Sequence, residues 1–205
     1  MKIKKLVALL TAGVLCLGMS TTAFAAQSVQ DADGAALVKG ADGYVSGYGE
    51  LTPAQQEAFD KAKEVLEDEK QVDKILQDLG YNTNGVDVIV MGMGDYRYYD
   101  KDGNPADLPK GTTLQFSLEG LDKAKGLKNG DKVYLMHYKA DGTWEVVNGT
   151  VVTLNGFLYV ETDELDSLSP IAFLKVMSDG KVVALDKKGE VVKTTTTKVS
   201  PKTGE

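Results

Sequence analysis

Residues 132–161, KVYLMHYKADGTWEVVNGTVVTLNGFLYVE, decide the fold class. Four runs rich in Val, Tyr, Leu, Phe and Trp are separated by Ala140-Asp141-Gly142-Thr143, Asn148-Gly149 and Asn155-Gly156. Asp-Gly and Asn-Gly between such runs favour tight turns, because both residues tolerate the positive φ that two-residue hairpins require. The stretch therefore predicts strands at 132–138, 144–147, 150–154 and 157–161.

Working outward, 112–118 alternates, 170–176 is a continuous apolar run, and 86–91 continues into 95–99 across Gly92-Met93-Gly94, where paired glycines suggest a bulge or bend. About seven short strands with tight turns predict an antiparallel, immunoglobulin-like β-sandwich over 85–177. Residues 51–80 precede it with a different period. Thr52 suits a helix N-cap, Pro53 the first helical position and Gln55 the third, where a capping box places Glu or Gln. Ala58, Phe59, Ala62, Val65 and Leu66 follow helical spacing, as do Val72, Ile75, Leu76 and Leu79 before Gly80. One helix over about 53–69 and a second ending at Gly80 are expected, continuous or bent near Lys70. Residues 26–50 hold few large apolar side chains and read as a flexible leader.

The ends carry an address. Lys2, Lys4 and Lys5 precede an apolar stretch from Leu6 to Leu17, and Ala23-Phe24-Ala25 offers small residues for cleavage, the pattern of an export signal over 1–25. The apolar stretch is shorter than the roughly 20 residues of a membrane-spanning helix. The whole chain has 23 Lys and Arg against 30 Asp and Glu, a net charge of -7. Removing 1–25 leaves 20 against 30, a balance of -10. Such an acidic chain repels phosphate backbones and anionic lipid, which argues against nucleic-acid partners. Cys16, the single cysteine, lies within the signal, so the exported form contains no disulfide and no cysteine metal ligand.

Residues 178–199 form a Lys/Thr-rich stalk, and 200–205 read Ser200-Pro201-Lys202-Thr203-Gly204-Glu205. This end resembles the LPXTG-like sorting signal of Gram-positive, sortase-anchored cell-surface proteins, with Ser200 in the usual place of Leu. The resemblance implies a sortase as partner, cleavage between Thr203 and Gly204, and covalent attachment of Thr203 to peptidoglycan. Pro201 would set the substrate's bend and Gly204 would allow close backbone approach. The apolar segment and basic tail of that family are expected beyond Glu205. Residues 134–146 and 167–172 are also similar to β-sandwich modules of clostridial wall-anchored proteins, which implies an extracellular structural or adhesive role.

Candidate chemistry is sparse. His137 is the only histidine; with no nucleophile-elbow sequence around any serine, it reads as a cross-strand packing partner. Asp100-Lys101-Asp102-Gly103-Asn104 resembles the start of a calcium loop, but Pro105 holds the sixth position and Gly111 the twelfth, where Gly and Glu are needed. Asp163, Glu164 and Asp166 read as a solvated loop. No catalytic residue, metal site or cofactor is expected, and the protein is read as no enzyme. The alternative to an adhesive module is a carbohydrate-binding one, with Tyr96, Tyr98 and Trp144 as sugar contacts. The ligand is an extracellular protein or glycan.

Overall fold

The computed structural model describes residues 28–32, 35–47 and 50–187. Thr52 caps the first helix as its sequence predicts: its Oγ1 accepts from Gln55 N, and Gln55 Oε1 accepts from Thr52 N at 2.9 Å. That helix, α1 (Pro53–Leu66), stops where Asp68 caps a second, α2 (Glu69–Asp78), by accepting from Lys70 N. The break is thus two residues ahead of Lys70. Gly80 ends the pair at φ 92°, a conformation that costs glycine little.

The strands are β1 (Ala35–Lys39), β2 (Gly43–Ser46), β3 (Tyr81–Asn82), β4 (Asp87–Asp95), β5 (Arg97–Asp100), β6 (Thr113–Ser117), β7 (Lys132–Tyr138), β8 (Trp144–Leu154), β9 (Phe157–Thr162), β10 (Pro170–Ser178), β11 (Lys181–Val182) and β12 (Asp186–Lys187). Ten pair antiparallel in the order β11-β10-β7-β8-β9-β6-β1-β2-β5, with β4 also on β10; β12 and β3 form a separate pair. Because β4 and β5 lie far apart in this order yet are separated in the chain by Tyr96 alone, the sheet curls until the backbone links its two ends. The unit is mainly β and antiparallel with a helical segment, as expected; ten of its described strands form one curled sheet and β3 and β12 a second, small one.

The central strands are covered on both faces. Ile171 and Phe173 of β10 point into the curl with Val133, Leu135, Leu114 and Phe116, while Ala172, Leu174 and Val176 face the helices with Tyr134, Met136, Leu66 and Leu76. Double-sided burial explains why 170–176 shows no polar alternation. Met91 is the extra residue on β4 between the pairs Phe173↔Gly92 and Leu174↔Val90, which places the bulge beside the paired glycines.

Two expectations fail. The leader is built into the fold: β1 pairs with β6 and β2, β2 pairs with β5, and Val29 and Val45 are buried. Small inward side chains suffice there because Ala36 and Val38 pack against the larger residues of β6 and its neighbours. Asn148-Gly149 is no turn, since β8 runs unbroken from Trp144 to Leu154. A Cβ at Gly149 would lie 2.5 Å from Val160 Cγ1 and 2.8 Å from Leu135 Cδ1, so glycine is there for space. Gly149→Ala is expected to cost about 1–3 kcal/mol by overpacking, read as a lower urea midpoint; a change inside about 0.5 kcal/mol would show that the core can give way. The Asn155-Gly156 turn is as expected, at φ 51° and 87°.

Lys175 is a buried cation whose Nζ donates, among the described residues, to the carbonyl of Lys125 at 3.3 Å. Burial holds its ammonium below its ordinary value of 10.5. The unfolded chain therefore binds the proton more tightly, and stability rises with pH between the lowered folded value and 10.5. Lys175→Met is expected to raise Tm at pH 7, with the gain shrinking as pH approaches 10.5; a gain independent of pH would contradict this cause.

Candidate functional site

A cleft of about 590 Å³ opens between the first turns of α1 and the β7–β8 hairpin. Its floor comes from Asp95, Tyr96 and Arg97 at the β4–β5 bend and from Leu168, Ser169 and Pro170 ahead of β10. Hairpin register fixes what lies beside it. The turn closes with Lys139 N donating to Thr143 O, which pairs Tyr138 with Trp144 and His137 with Glu145. Pairing of Ile171 with His137 brings Ser169 alongside from the third chain segment.

His137 is 1% exposed, and both ring nitrogens are engaged. Nδ1 lies 2.7 Å from Glu145 Oε1 and Nε2 lies 2.6 Å from Ser169 Oγ; the Ser169 hydroxyl also reaches the carbonyl of Tyr138 at 2.5 Å. Glu145 Oε2 is 3.8 Å from Lys139 Nζ. The serine is half-buried and lines the cleft, the histidine beside it is buried, and the carboxylate on the far side of the ring is 28% exposed. Sequence reading assigned His137 to packing; the register with Glu145 was derivable from the turn, whereas Ser169 is 32 residues away and no local pattern ties it to the histidine.

The cleft's charges are largely paired. Asp95 Oδ2 is 3.2 Å from Arg97 Nε, and Arg97 Nη1 donates to the carbonyl of Glu50 at 3.4 Å. Burial raises the Asp95 carboxyl above its ordinary value, with Arg97 offsetting part of the shift. Arg97 Nη2 is buried with no hydrogen-bond partner among the described residues. On the rim, the Lys61 ammonium 2.7 Å from Glu57 holds that carboxyl low, and Thr143 does the same for Asp141.

The expected sugar contacts are placed otherwise. Tyr96 is fully buried and Tyr98 6% exposed, both inside the curl, because the β4–β5 chain turns that side of its alternation into the core. Neither can stack a sugar. Trp144 is half-buried on the helix side, its ring 4.9 Å from that of Tyr138. An exposed tyrosine is instead Tyr44, 50% exposed and stacked on Tyr99 at 5.2 Å, on strand β2 of the supposed leader. Asp100 Oδ1 accepts from Asp102 N and Asn104 N, so that loop carboxylate is spent on its own turn. Among the described residues no group of three His, Cys, Asp or Glu is placed to hold a metal. Asp163, Glu164 and Asp166 are exposed, as expected of a solvated loop, and Glu164 also accepts from Asn148 N and Nδ2. Residues 1–25 and the sorting residues Ser200, Pro201, Lys202, Thr203 and Gly204 lie outside the described residues. Family models, curated proteins and solved structures give no match to the chain.

Proposed function

We propose that this chain is an exported Gram-positive surface protein, displayed on the cell wall through Thr203 and presenting its β unit as a structural or adhesive module. The observation that carries the reading is the order of its parts: an export-type segment at 1–25, a unit without cysteine, a Lys/Thr stalk and SPKTGE at 200–205. Each part has a physical task in that order. The basic and apolar start engages export, the core is stable without disulfides in an oxidising exterior, and the stalk gives reach from the wall. In this reading the curled sheet serves as the immunoglobulin-like module expected from the sequence.

Two supports come from the folded part. The first ten residues of the expected 178–199 stalk belong to the folded unit, since β11 pairs with β10 and β12 with β3, so in this reading the stalk shortens to 188–199 and begins beyond a closed module. For a glycan ligand, the alternative to a protein one, Tyr44 stacked on Tyr99 is the aromatic surface to test in place of Tyr96 and Tyr98. The test is wall retention. In cells carrying the full gene, the protein should stay with purified walls through boiling detergent, and Thr203→Ala should release it to the medium or membrane. Release of wild-type and variant protein alike would overturn the reading.

A further inference from the structure

We propose that Ser169, His137 and Glu145 form a nucleophilic acyl-transfer centre that hydrolyses a carboxylic ester held in the cleft. This goes beyond display, which neither needs nor excludes chemistry in the cleft, and it does not depend on anchoring.

The argument is geometric. Ser169 Oγ at 2.6 Å from His137 Nε2, and Nδ1 of the same ring at 2.7 Å from Glu145 Oε1, are the contacts a serine nucleophile, its general base and the base's orienting carboxylate require. The three come from separate segments and meet beside the cleft, whose lining includes Ser169. A purely apolar core would not need this arrangement, since a buried imidazole costs desolvation. Ser169 precedes Pro170, whose ring fixes the start of β10 and thereby the serine's position.

The chemistry balances with water as the only co-reactant. Ser169 Oγ bonds to the acyl carbon while its proton passes to His137 Nε2. The bond from that carbon to the ester oxygen then breaks, and the leaving alkoxide takes the proton from Nε2. Water next attacks the acyl-serine, gives a proton to Nε2, and releases the carboxylic acid as Oγ regains its proton. Arg97 lines the same cleft with its Nε on Asp95, and in this proposal its charge offsets that of the oxyanion. The resting hydroxyl has two acceptors, Nε2 and the Tyr138 carbonyl, and attack uses the orientation toward Nε2. Leu168 and Pro170 border the serine and suit a small apolar acyl group, while Glu57, Lys61 and Asp141 suit a polar alcohol. The substrate class is therefore a short-chain O-acyl ester of a polar, hydroxyl-rich alcohol.

The test is labelling of the purified full chain with a fluorophosphonate, followed by peptide mass spectrometry. The expected result is one adduct on Ser169, absent in Ser169→Ala. Glu145 acts through the imidazole as a positioning residue, so Glu145→Gln should slow labelling by roughly 10²-fold or more and alter its pH profile while the thermal transition persists. The wild-type measurement needs no variant to fold. Folded protein that is not labelled at Ser169, or a Glu145→Gln protein labelled at the wild-type rate and pH dependence, would overturn the proposal and leave the trio as a buried polar tie.

Discussion

Deleting residues 28–47 should abolish the cooperative thermal transition. The segment supplies β1 and β2, and with them the only bridge between β6 and β5 in the sheet order. Without it β6 keeps β9 but loses β1, β5 loses β2, and both expose a row of backbone donors and acceptors. Val29 and Val45 leave two core regions, each worth about 1.5–3 kcal/mol of burial, and Ala36, Val38 and the ladders add to that. Against a total stability of about 5–15 kcal/mol for a domain, losing two strands and the closure is expected to be decisive. The measurement is near-UV circular dichroism through a thermal ramp. A truncated chain with the full-length Tm would restore the flexible-leader reading.

Phe173→Ala should be the most damaging single substitution in the core, at about 3–5 kcal/mol. Its ring is fully buried in the curl, 5.5 Å from that of Phe116 and 6.2 Å from Tyr96, which lies edge-on to it. Phe116 and Tyr96 are themselves 4.8 Å apart. Removing one member of three mutually packed aromatics leaves a cavity that two rigid rings and a closed sheet cannot collapse to fill. Phe157, 48% exposed at the Asn155-Gly156 turn, is the control, expected within about 0.5 kcal/mol of wild type when changed to Ala. Urea midpoints measure both. Equal losses at 157 and 173 would contradict the placement of the core.

Local signals in the sequence were reliable where one residue type had one physical use. The Thr52–Gln55 box, the cap at Gly80 and the Asn155-Gly156 turn all occur as their chemistry predicts. Asn148-Gly149 misled because the same dipeptide can serve space instead of φ, and only the long-range contact with Val160 and Leu135 distinguishes the two. Residues 28–47 misled because strand pairing needs one modest apolar side chain in two, a density that composition reads as disorder. Alternation put Tyr96 and Tyr98 on one face, and both point into the curl; which face is the core depends on closure between β4 and β5, which no window of sequence contains. At the site, Glu145 was legible once the 140–143 turn was assigned, while Ser169 needed the β7–β10 pairing.

The proposed covalent display rests on one bond, and its direct measurement is mass spectrometry of protein released from purified walls by a muramidase. The account predicts a chain that begins at Ala26 and a last peptide that ends at Thr203, its carboxyl carrying the mass of a wall-peptide amine. A last peptide that retains Gly204 and Glu205 without that addition, with no released chain ending at Thr203, would contradict it.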